Sequence, residues 1–415
     1  MKQDLNKMKD FMVKHITFQT VDFFEKYIKN MRIPENNQIG ISIIIICKNE
    51  ERCIGRCLNS IKKQICTMDE IVVIDTGSTD KTKEIIKNVI SESKIRDIVW
   101  KDDFSYVRNI GIDFAKNNWI FFIDADECLQ EGSLKNLRML VAFAETFVDQ
   151  DFAICPTIVN SNSHITNGVR RIVSKKSGLK FWGRVHEEIR YEKGKLGYEV
   201  NAVAFDNIVL FHDGYEKDII VKKDKIHRNM QLLLKMIECE PQYPRWSYFL
   251  ARDAKEELSE IKYEELLLET VKLSDEKKIF EYYDIRALSD LTSLYISKGN
   301  LDKAEEVLIE LKQRAPDLSD IVYFRTYIDF CKLKEKTLKL LIDVCEFRET
   351  HQNIEYGSIH SNYFHIDFLI AKLFFEIGEY KKAFSILKKL KSEKYCNDDE
   401  YYLRLLEAVE KYLDD

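Results

Sequence analysis

The acidic pair Asp124 and Asp126 is the clearest chemical signal in this chain. It follows Trp119–Ile123, a run of five apolar residues that is typical of a buried strand. A strand that ends in Asp-x-Asp places both carboxylates at the carboxyl edge of a sheet, where open α/β folds bind ligands. Two hard oxygen ligands at this spacing suit Mg²⁺ or Mn²⁺ held against substrate phosphates. Because an isolated Asp-x-Asp would more simply be an acidic loop, the interpretation depends on the elements around it.

The elements that precede this pair predict a mostly parallel sheet. Ser42–Cys47 is a β-branched run of strand length, and Glu70–Asp75 is a second buried run that ends in an acid. A helix pattern follows each run, and Ser78 or Thr79 is expected to cap the second helix. A third short strand is expected at Asp97–Trp100. This alternation predicts a doubly wound α/β fold with ligand groups on the carboxyl-end loops. Neither a GxGxxG nor a GxxxxGK[ST] motif is present, which disfavours a classical dinucleotide or P-loop fold.

Four segments of the chain resemble the signatures of family-2 glycosyltransferases. They are residues 42–50, 72–80, 103–109 and 122–126. The resemblance implies a Rossmann-like GT-A fold, a nucleotide-diphosphate sugar as donor and a divalent metal, Mg²⁺ or Mn²⁺, at Asp-x-Asp.

Residues 181–188, 211–215 and 240–246 extend the resemblance to a narrower group. With the layout of the whole chain, they are similar to the peptide S-glycosyltransferases of glycosylated bacteriocin biosynthesis, the sublancin-type enzymes. This similarity implies inverting transfer of a hexose, with glucose as the expected sugar, from a UDP-sugar to a precursor peptide. The acceptor atom is a cysteine thiol or a Ser/Thr hydroxyl. The similarity also implies a homodimer.

The resemblance assigns candidate roles to individual residues. Asp126 is the expected metal ligand with His212, and Asp124 lies toward the ribose or reaches the metal through water. Glu187 or His186 is the expected general base. The expected nucleotide-sugar-binding residues are Cys47, Asn49, Glu50, Asp75, Thr76, Arg108, Asp124 and Ala125.

Several of these roles have alternatives at the level of sequence. Arg108 can pair with phosphate or brace Asp124, because guanidinium forms bidentate bonds with either group. A carboxylate does the work of the base in most inverting enzymes, which favours Glu187 over His186. The spacing His-Glu-Glu-Ile-Arg is not HExxH, so a zinc protease is excluded. The nearby basic run, which contains Arg170, Arg171, Lys175 and Lys176, is expected to be a solvated face, with a clamp for the diphosphate as the alternative.

Length and composition agree with a soluble enzyme of two or three domains. The chain has 415 residues, of which 45% are hydrophobic, and this excludes a disordered chain. Its net charge of −6 does not favour a nucleic-acid partner. No apolar stretch reaches the ~18 residues of a membrane helix, and the first residues lack a signal peptide, so a cytoplasmic protein is expected. Ten cysteines without a CxxC motif are expected to be reduced thiols.

Three domains are expected. Residues 1–36 form a helical segment, residues 37–220 the GT-A domain, and residues 221–415 an all-α domain that resembles tetratricopeptide repeats. Gly299 and Gly378 are expected at helix–helix corners of two repeats. Because stacked helical repeats form concave binding surfaces, this domain is expected to guide the peptide and to mediate dimerisation.

Two other functions fit the same sequence. A family-2 glycosyltransferase that acts on a cell-surface carbohydrate would use the same catalytic residues. A non-catalytic repeat scaffold with a decayed transferase domain would not need Asp75, Asp124, Asp126, Glu187 and His212 intact, and all five are present.

Overall fold

The computed structural model describes residues 39–91, 94–145, 152–191, 200–212, 219–278, 282–351, 359–393 and 395, with 404, 407 and 410. The helical segment predicted at residues 1–36 lies outside these ranges. Residues 213–215, part of the segment 211–215 that extends the family resemblance, also lie outside them. The described residues fall into two compact units. The first comprises those up to Leu266 with 273–278, and the second comprises Leu267–Lys272 and those from Tyr282 onward.

The first unit is built on a large mixed sheet. In chain order the strands are β1 Ile41–Cys47, β2 Glu70–Asp75, β3 Ile95–Asp97, β4 Trp119–Asp124, β5 Glu127–Leu129, β6 Phe152–Asn160, β7 Ile165–Thr166, β8 Ile172–Ser174, β9 Leu179–Trp182, β10 Glu188–Tyr191 and β11 Asn201–His212. Across the sheet the order is β3-β2-β1-β4-β8-β6-β11-β5, with β7 beside β6, while β9 and β10 form a separate antiparallel pair.

Helices cover this sheet and continue into the second unit. In chain order they are α1 Ile54–Lys62, α2 Thr82–Val89, α3 Phe104–Phe114, α4 Ser133–Ala144, α5 Ile219–Cys239, α6 Pro244–Asp253, α7 Glu260–Lys277, α8 Tyr283–Ser297, α9 Leu301–Arg314, α10 Ser319–Thr350, α11 Phe364–Glu376 and α12 Tyr380–Ser392. The compact first unit therefore includes α5 and α6, which follow the last strand.

The parallel strands β2, β1 and β4 bring their acidic carboxyl ends to one edge. β1 lies between β2 and β4, and the register pairs Cys47 with Asp75 and Ile46 with Asp124. Strands β1 and β4 are almost fully buried, as expected for apolar runs that are covered on both faces. Helix α3 lies close to the sheet at Gly111, where a Cβ would stand 2.8 Å from Ile44. This close approach holds the helix that carries Arg108 directly over the strand ends.

The mostly parallel α/β fold expected from the sequence is confirmed, with two local differences. The third strand is β3, Ile95–Asp97, and lies slightly before the expected range. The predicted cap of α2 is wrong: Lys81 is the N-cap residue and provides no side-chain cap. The Ser78 hydroxyl instead accepts a hydrogen bond from the backbone N–H of Asn49, at 2.9 Å. Ser78 therefore joins two loops at the sheet edge, and the side chain that accepts from the first N–H of α2, that of Thr82, belongs to Asp80, at 3.0 Å.

The described part of the second unit consists of helices, and two of its hairpins lie where the glycines predicted them. α8 and α9 meet at Gly299, and α11 and α12 meet at Gly378. At the first corner the N–H of Asn300 donates to the carbonyl of Tyr295, and at the second Glu379 donates to Phe374, both at 2.9 Å. These bonds end the first helix of each pair in the same way. Assignment to tetratricopeptide repeats stays a prediction.

Within the described residues, no helix has both the length and the apolar character that a bilayer crossing requires.

Candidate active site

The carboxylate of Asp124 is held between two arginines at the end of β4. Arg108 on α3 donates through Nη2 to Oδ1 at 3.2 Å, and Arg171 donates to Oδ2 at 2.5 Å. Desolvation disfavours the ionised form, but the charges of Arg171 and Arg108 outweigh it and hold the pKa of Asp124 well below its usual range. Asp124 is thus a permanent anion. With a guanidinium group on each oxygen, direct metal ligation by this residue is not favoured.

Arg171 is the site residue that the sequence interpretation missed. It was expected on a solvated basic face, and this was wrong, because the residue is only 8% exposed. It immediately precedes β8, which pairs with both β4 and β6, and its guanidinium also donates to Glu127 at 3.0 Å. A buried guanidinium needs carboxylate partners, and Asp124 and Glu127 supply them. Nothing in the Arg170-Arg171 dipeptide distinguishes this buried cation from its neighbour.

Glu187 belongs to the same network of charges. Its Oε1 accepts a hydrogen bond from Nε of Arg108 at 2.9 Å, so Arg108 joins Glu187 to Asp124. The side chain of Glu187 is 13% exposed, and no described residue hydrogen-bonds Oε2. One oxygen is therefore fixed and the other can accept a proton from a bound group. Bracing of Asp124, one of the two roles open for Arg108, is what the contacts show.

Asp126, which lies between β4 and β5 at the same sheet edge as Asp124, faces His212. His212 ends β11, and its Nε2 lies 3.3 Å from Oδ2 of Asp126. Its Nδ1 lies 3.1 Å from Oδ1 of Asn160, whose amide group donates to the carbonyl of His164 and to Thr166. Because the Asn160 amide is oriented by these bonds, its oxygen accepts from Nδ1–H of His212.

This tautomer points the Nε2 lone pair of neutral His212 at the Asp126 carboxylate. Two electron-rich groups at this distance require a proton or a cation between them, and the hydrogen bond with Asp126 indeed raises the pKa of His212. Among the described residues, no third His, Cys, Asp or Glu completes a metal cluster with them. The carboxylate of Asp126 and the imidazole of His212 are ligand types that would suit a Mg²⁺ or Mn²⁺ ion.

His186 faces away from this charge network. Its Nε2 lies 2.5 Å from Oδ2 of Asp253, and its ring stacks on Phe249 with centroids 4.2 Å apart. Its φ of 50° lies in the left-handed region, which costs a non-glycine residue about 1–3 kcal/mol. Of the two candidates for the base, Glu187 is the one in contact with the Arg108–Asp124 pair.

The candidate nucleotide-binding residues lie on the loops after β1 and β2. Oδ1 of Asp75 accepts from the backbone N–H groups of Gly77 and Ser78, both at 2.9 Å, and Oδ2 accepts from the Cys47 thiol at 3.7 Å. Although burial opposes it, these hydrogen bonds lower the pKa of Asp75. Thr76 donates to the carbonyl of Cys47.

The rest of this predicted set is also present at the edge. Asn49, at the tip of the first loop, accepts from the N–H of Thr79 at 2.8 Å, and Glu50 accepts from the thiol of Cys53 at 3.0 Å. Ala125, which stands between Asp124 and Asp126 in the sequence, is buried in the core. The β1 and β2 loops thus bind each other through their polar groups and form a common rim, while the nucleotide contacts of these residues stay a prediction.

The chain is similar in sequence to known glycosyltransferases. Residues 42–200 match the family model for glycosyl transferase family 2. The SPbeta prophage-derived glycosyltransferase SunS of Bacillus subtilis is 29% identical over 365 residues, which cover 86% of this chain and 82% of SunS. A TPR repeat-containing protein of Synechococcus elongatus is 28% identical over 200 residues, 46% of this chain and 47% of that protein.

Among solved structures, S. aureus TarS 1–349 in complex with UDP-GlcNAc aligns with 68% of this chain and 93% of its own, at 15% identity and a TM-score of 0.39. The resemblance inferred from the motifs is confirmed by the family match and by SunS. Residues 42–200 thus resemble family-2 glycosyltransferases, and the chain is similar to the glycosyltransferase SunS along most of its length.

Proposed function

We propose that this protein is an inverting glycosyltransferase that moves a hexose, with glucose as the expected sugar, from a UDP-sugar to the cysteine thiol of a bacteriocin precursor peptide. The similarity to SunS over 86% of the chain supports the peptide acceptor. The main support is the pair of hydrogen bonds that joins Glu187 to Arg108 and Arg108 to Asp124. These bonds hold the Glu187 carboxylate beside the sheet edge at which we propose that the donor binds.

In the proposed reaction Glu187 is the general base. Its Oε2 takes the proton from the acceptor thiol, and the sulfur attacks the anomeric carbon on the face opposite the leaving group. The bond from that carbon to the diphosphate oxygen breaks, and its electron pair leaves with UDP. Arg108 orients Glu187 through the bond to Oε1. The configuration at the anomeric carbon is inverted.

Asp126 and His212 are proposed to hold the divalent metal. A Mg²⁺ or Mn²⁺ ion there would supply Lewis-acid neutralisation of the departing diphosphate. Asn160 keeps Nε2 of His212 available as a ligand, because its amide oxygen takes the Nδ1 proton.

The acceptor is tested by incubating the full-length protein with Mn²⁺, a panel of UDP-sugars and a cysteine-containing peptide, with intact mass as the readout. We expect one added hexose, which is lost when the acceptor cysteine is replaced by alanine. Transfer only to a cell-surface carbohydrate would favour the alternative acceptor class. No UDP release from any donor would indicate a non-catalytic scaffold.

We also propose that the protein is a homodimer formed through α10. Three aromatic residues on one face of this helix are exposed, Tyr323 by 63%, Tyr327 by 43% and Phe330 by 50%. Their spacing of four and three residues aligns them along one stripe, and Tyr323 stacks on Tyr327. A two-fold axis through such a stripe pairs apolar surface with identical apolar surface, which is the geometry of an isologous interface.

Light scattering at micromolar concentration tests this interface. We expect a dimer for the unaltered protein and a monomer for Tyr323→Glu/Phe330→Glu, because buried charges without partners oppose association. Ile261→Glu is the matched control, since Ile261 is an exposed apolar residue on α7 and not part of the α10 stripe. A monomeric unaltered protein would contradict the proposal.

A further inference from the structure

The segment 183–187 between β9 and β10 presents Glu187 to the charge network, and a helix outside the sheet contacts this segment at several residues. That helix is α6, Pro244–Asp253, which lies about 60 residues further along the chain in the same compact unit. The contacts begin at Gly183, where φ is 107° and an added Cβ would lie 2.8 Å from the ring of the fully buried Trp246. The segment therefore starts in direct contact with the face of α6.

His186, the residue before Glu187, has four contacts with the same helix, one of which places Nη2 of Arg252 3.3 Å from its Nε2. Arg245 donates to its carbonyl oxygen at 2.6 Å, Phe249 stacks on its ring, and Asp253 lies at its Nε2. Together these contacts hold the left-handed backbone conformation that a histidine does not adopt by preference. A change of φ and ψ at this position would redirect Glu187.

The contact with Asp253 has the character of a fixed ionic hydrogen bond. Burial opposes ionisation of Asp253, but the hydrogen bond from His186 and the charge of Arg252 lower its pKa to about 2. Arg252 binds the other oxygen, and Asn229 of α5 donates to Oδ2 at 3.4 Å. Since the carboxylate accepts from Nε2–H of His186, it sets both the tautomer and the tilt of the ring.

The residue after Glu187 is fixed as well. Glu188 is buried, and its carboxylate accepts from the hydroxyl of Tyr243, which precedes α6, at 2.9 Å and lies 3.5 Å from Arg245. Because the residues on both sides of Glu187 are held, its backbone position is fixed. From this position its side chain reaches Arg108.

We propose that Asp253 is a positioning residue for Glu187: by holding His186 in its left-handed conformation, it keeps the Glu187 carboxylate on Arg108 and beside the acceptor. This proposal rests on the proposed function, because it assigns Glu187 the role of base. It makes the first helices after the sheet part of the catalytic machinery.

A double-mutant cycle tests the coupling, with UDP-glucose and a cysteine-containing peptide as substrates. Asp253→Ala is expected to lower kcat about 100-fold, the cost of a misplacement near 1 Å, with KM for UDP-glucose unchanged. Asp253→Asn is expected to retain most of the rate, because its amide oxygen still accepts from His186. In a Glu187→Gln background, Asp253→Ala should slow transfer no further. Full additivity of the two changes would overturn the proposal.

Hydrogen exchange tests the same contact without any substrate. Amides in the stretch 179–191 should exchange faster in Asp253→Ala than in the unaltered protein. The matched control is Asp284→Ala, which removes a buried carboxylate that likewise pairs with an arginine, Arg314, in the second unit. The control should leave this stretch unchanged, and unchanged exchange in Asp253→Ala would overturn the proposal. If the unaltered protein transferred no sugar, the proposed function would fail, while the exchange measurement would still decide whether Asp253 holds the segment.

Discussion

Glu187→Gln is expected to slow sugar transfer by about 10²–10⁴-fold, the usual contribution of a general base. Glutamine keeps the size of the side chain and can still accept the bond from Arg108, but it cannot take a proton at pH 7. Donor binding should change little, because Glu187 contacts Arg108 and not the β1 and β2 loops. Steady-state kinetics with separate kcat and KM values measures the effect.

The pH dependence of this variant identifies the acceptor atom. A cysteine thiol has a pKa near 8.5, so its thiolate fraction rises roughly 25-fold between pH 7 and pH 9. Glu187→Gln should recover rate over this range with a cysteine peptide and not with the matching serine peptide. The control Glu269→Gln makes the same chemical change on an exposed face of α7 and should behave like the unaltered protein. A rate that is unaffected by Glu187→Gln at every pH would move the role of base to His186.

Asp126→Ala is expected to abolish transfer, with a loss of about 10³-fold or more, because it removes several kcal/mol of charge stabilisation at the diphosphate. The fold should persist, since Asp126 contributes a side chain at the sheet edge and its one hydrogen-bonded partner among the described residues is His212. Electron paramagnetic resonance with Mn²⁺ and UDP should show loss of the bound ion.

The control for this variant is Asp343→Ala, which removes an exposed carboxylate from α10. It should bind Mn²⁺ and transfer sugar as the unaltered protein does. Full activity of the unaltered protein after treatment with EDTA would refute the metal assignment.

The strands of this fold could be predicted because their signals are local. The apolar runs of β1, β2 and β4 are continuous in sequence, and a parallel sheet aligns their ends, so Asp75 and Asp124 were expected at one edge. The pairing of Asp126 with His212, 86 positions later, came from the family resemblance and not from any local pattern.

Other parts of the site depend on contacts that no local pattern encodes. Arg171 is buried because β8 lies antiparallel between β4 and β6, which carries its guanidinium under Asp124. A strand of three residues is too short for its sequence to predict which strands it pairs with or in which register. The partnership of His186 with Asp253 likewise depends on how α6 packs on the segment before β10.

The hold of α6 on the segment around Glu187 has a consequence for how such enzymes diversify. Recombination that joined this sheet to a foreign array of helices directly after β11 would exchange α6 and free the Glu187 segment. A junction that keeps the catalytic unit whole must therefore lie beyond Asp253. The contacts described above for that hold all lie within the first compact unit. Helix α6 would thus be inherited alongside the sheet, because the two are coupled through the segment that carries Glu187.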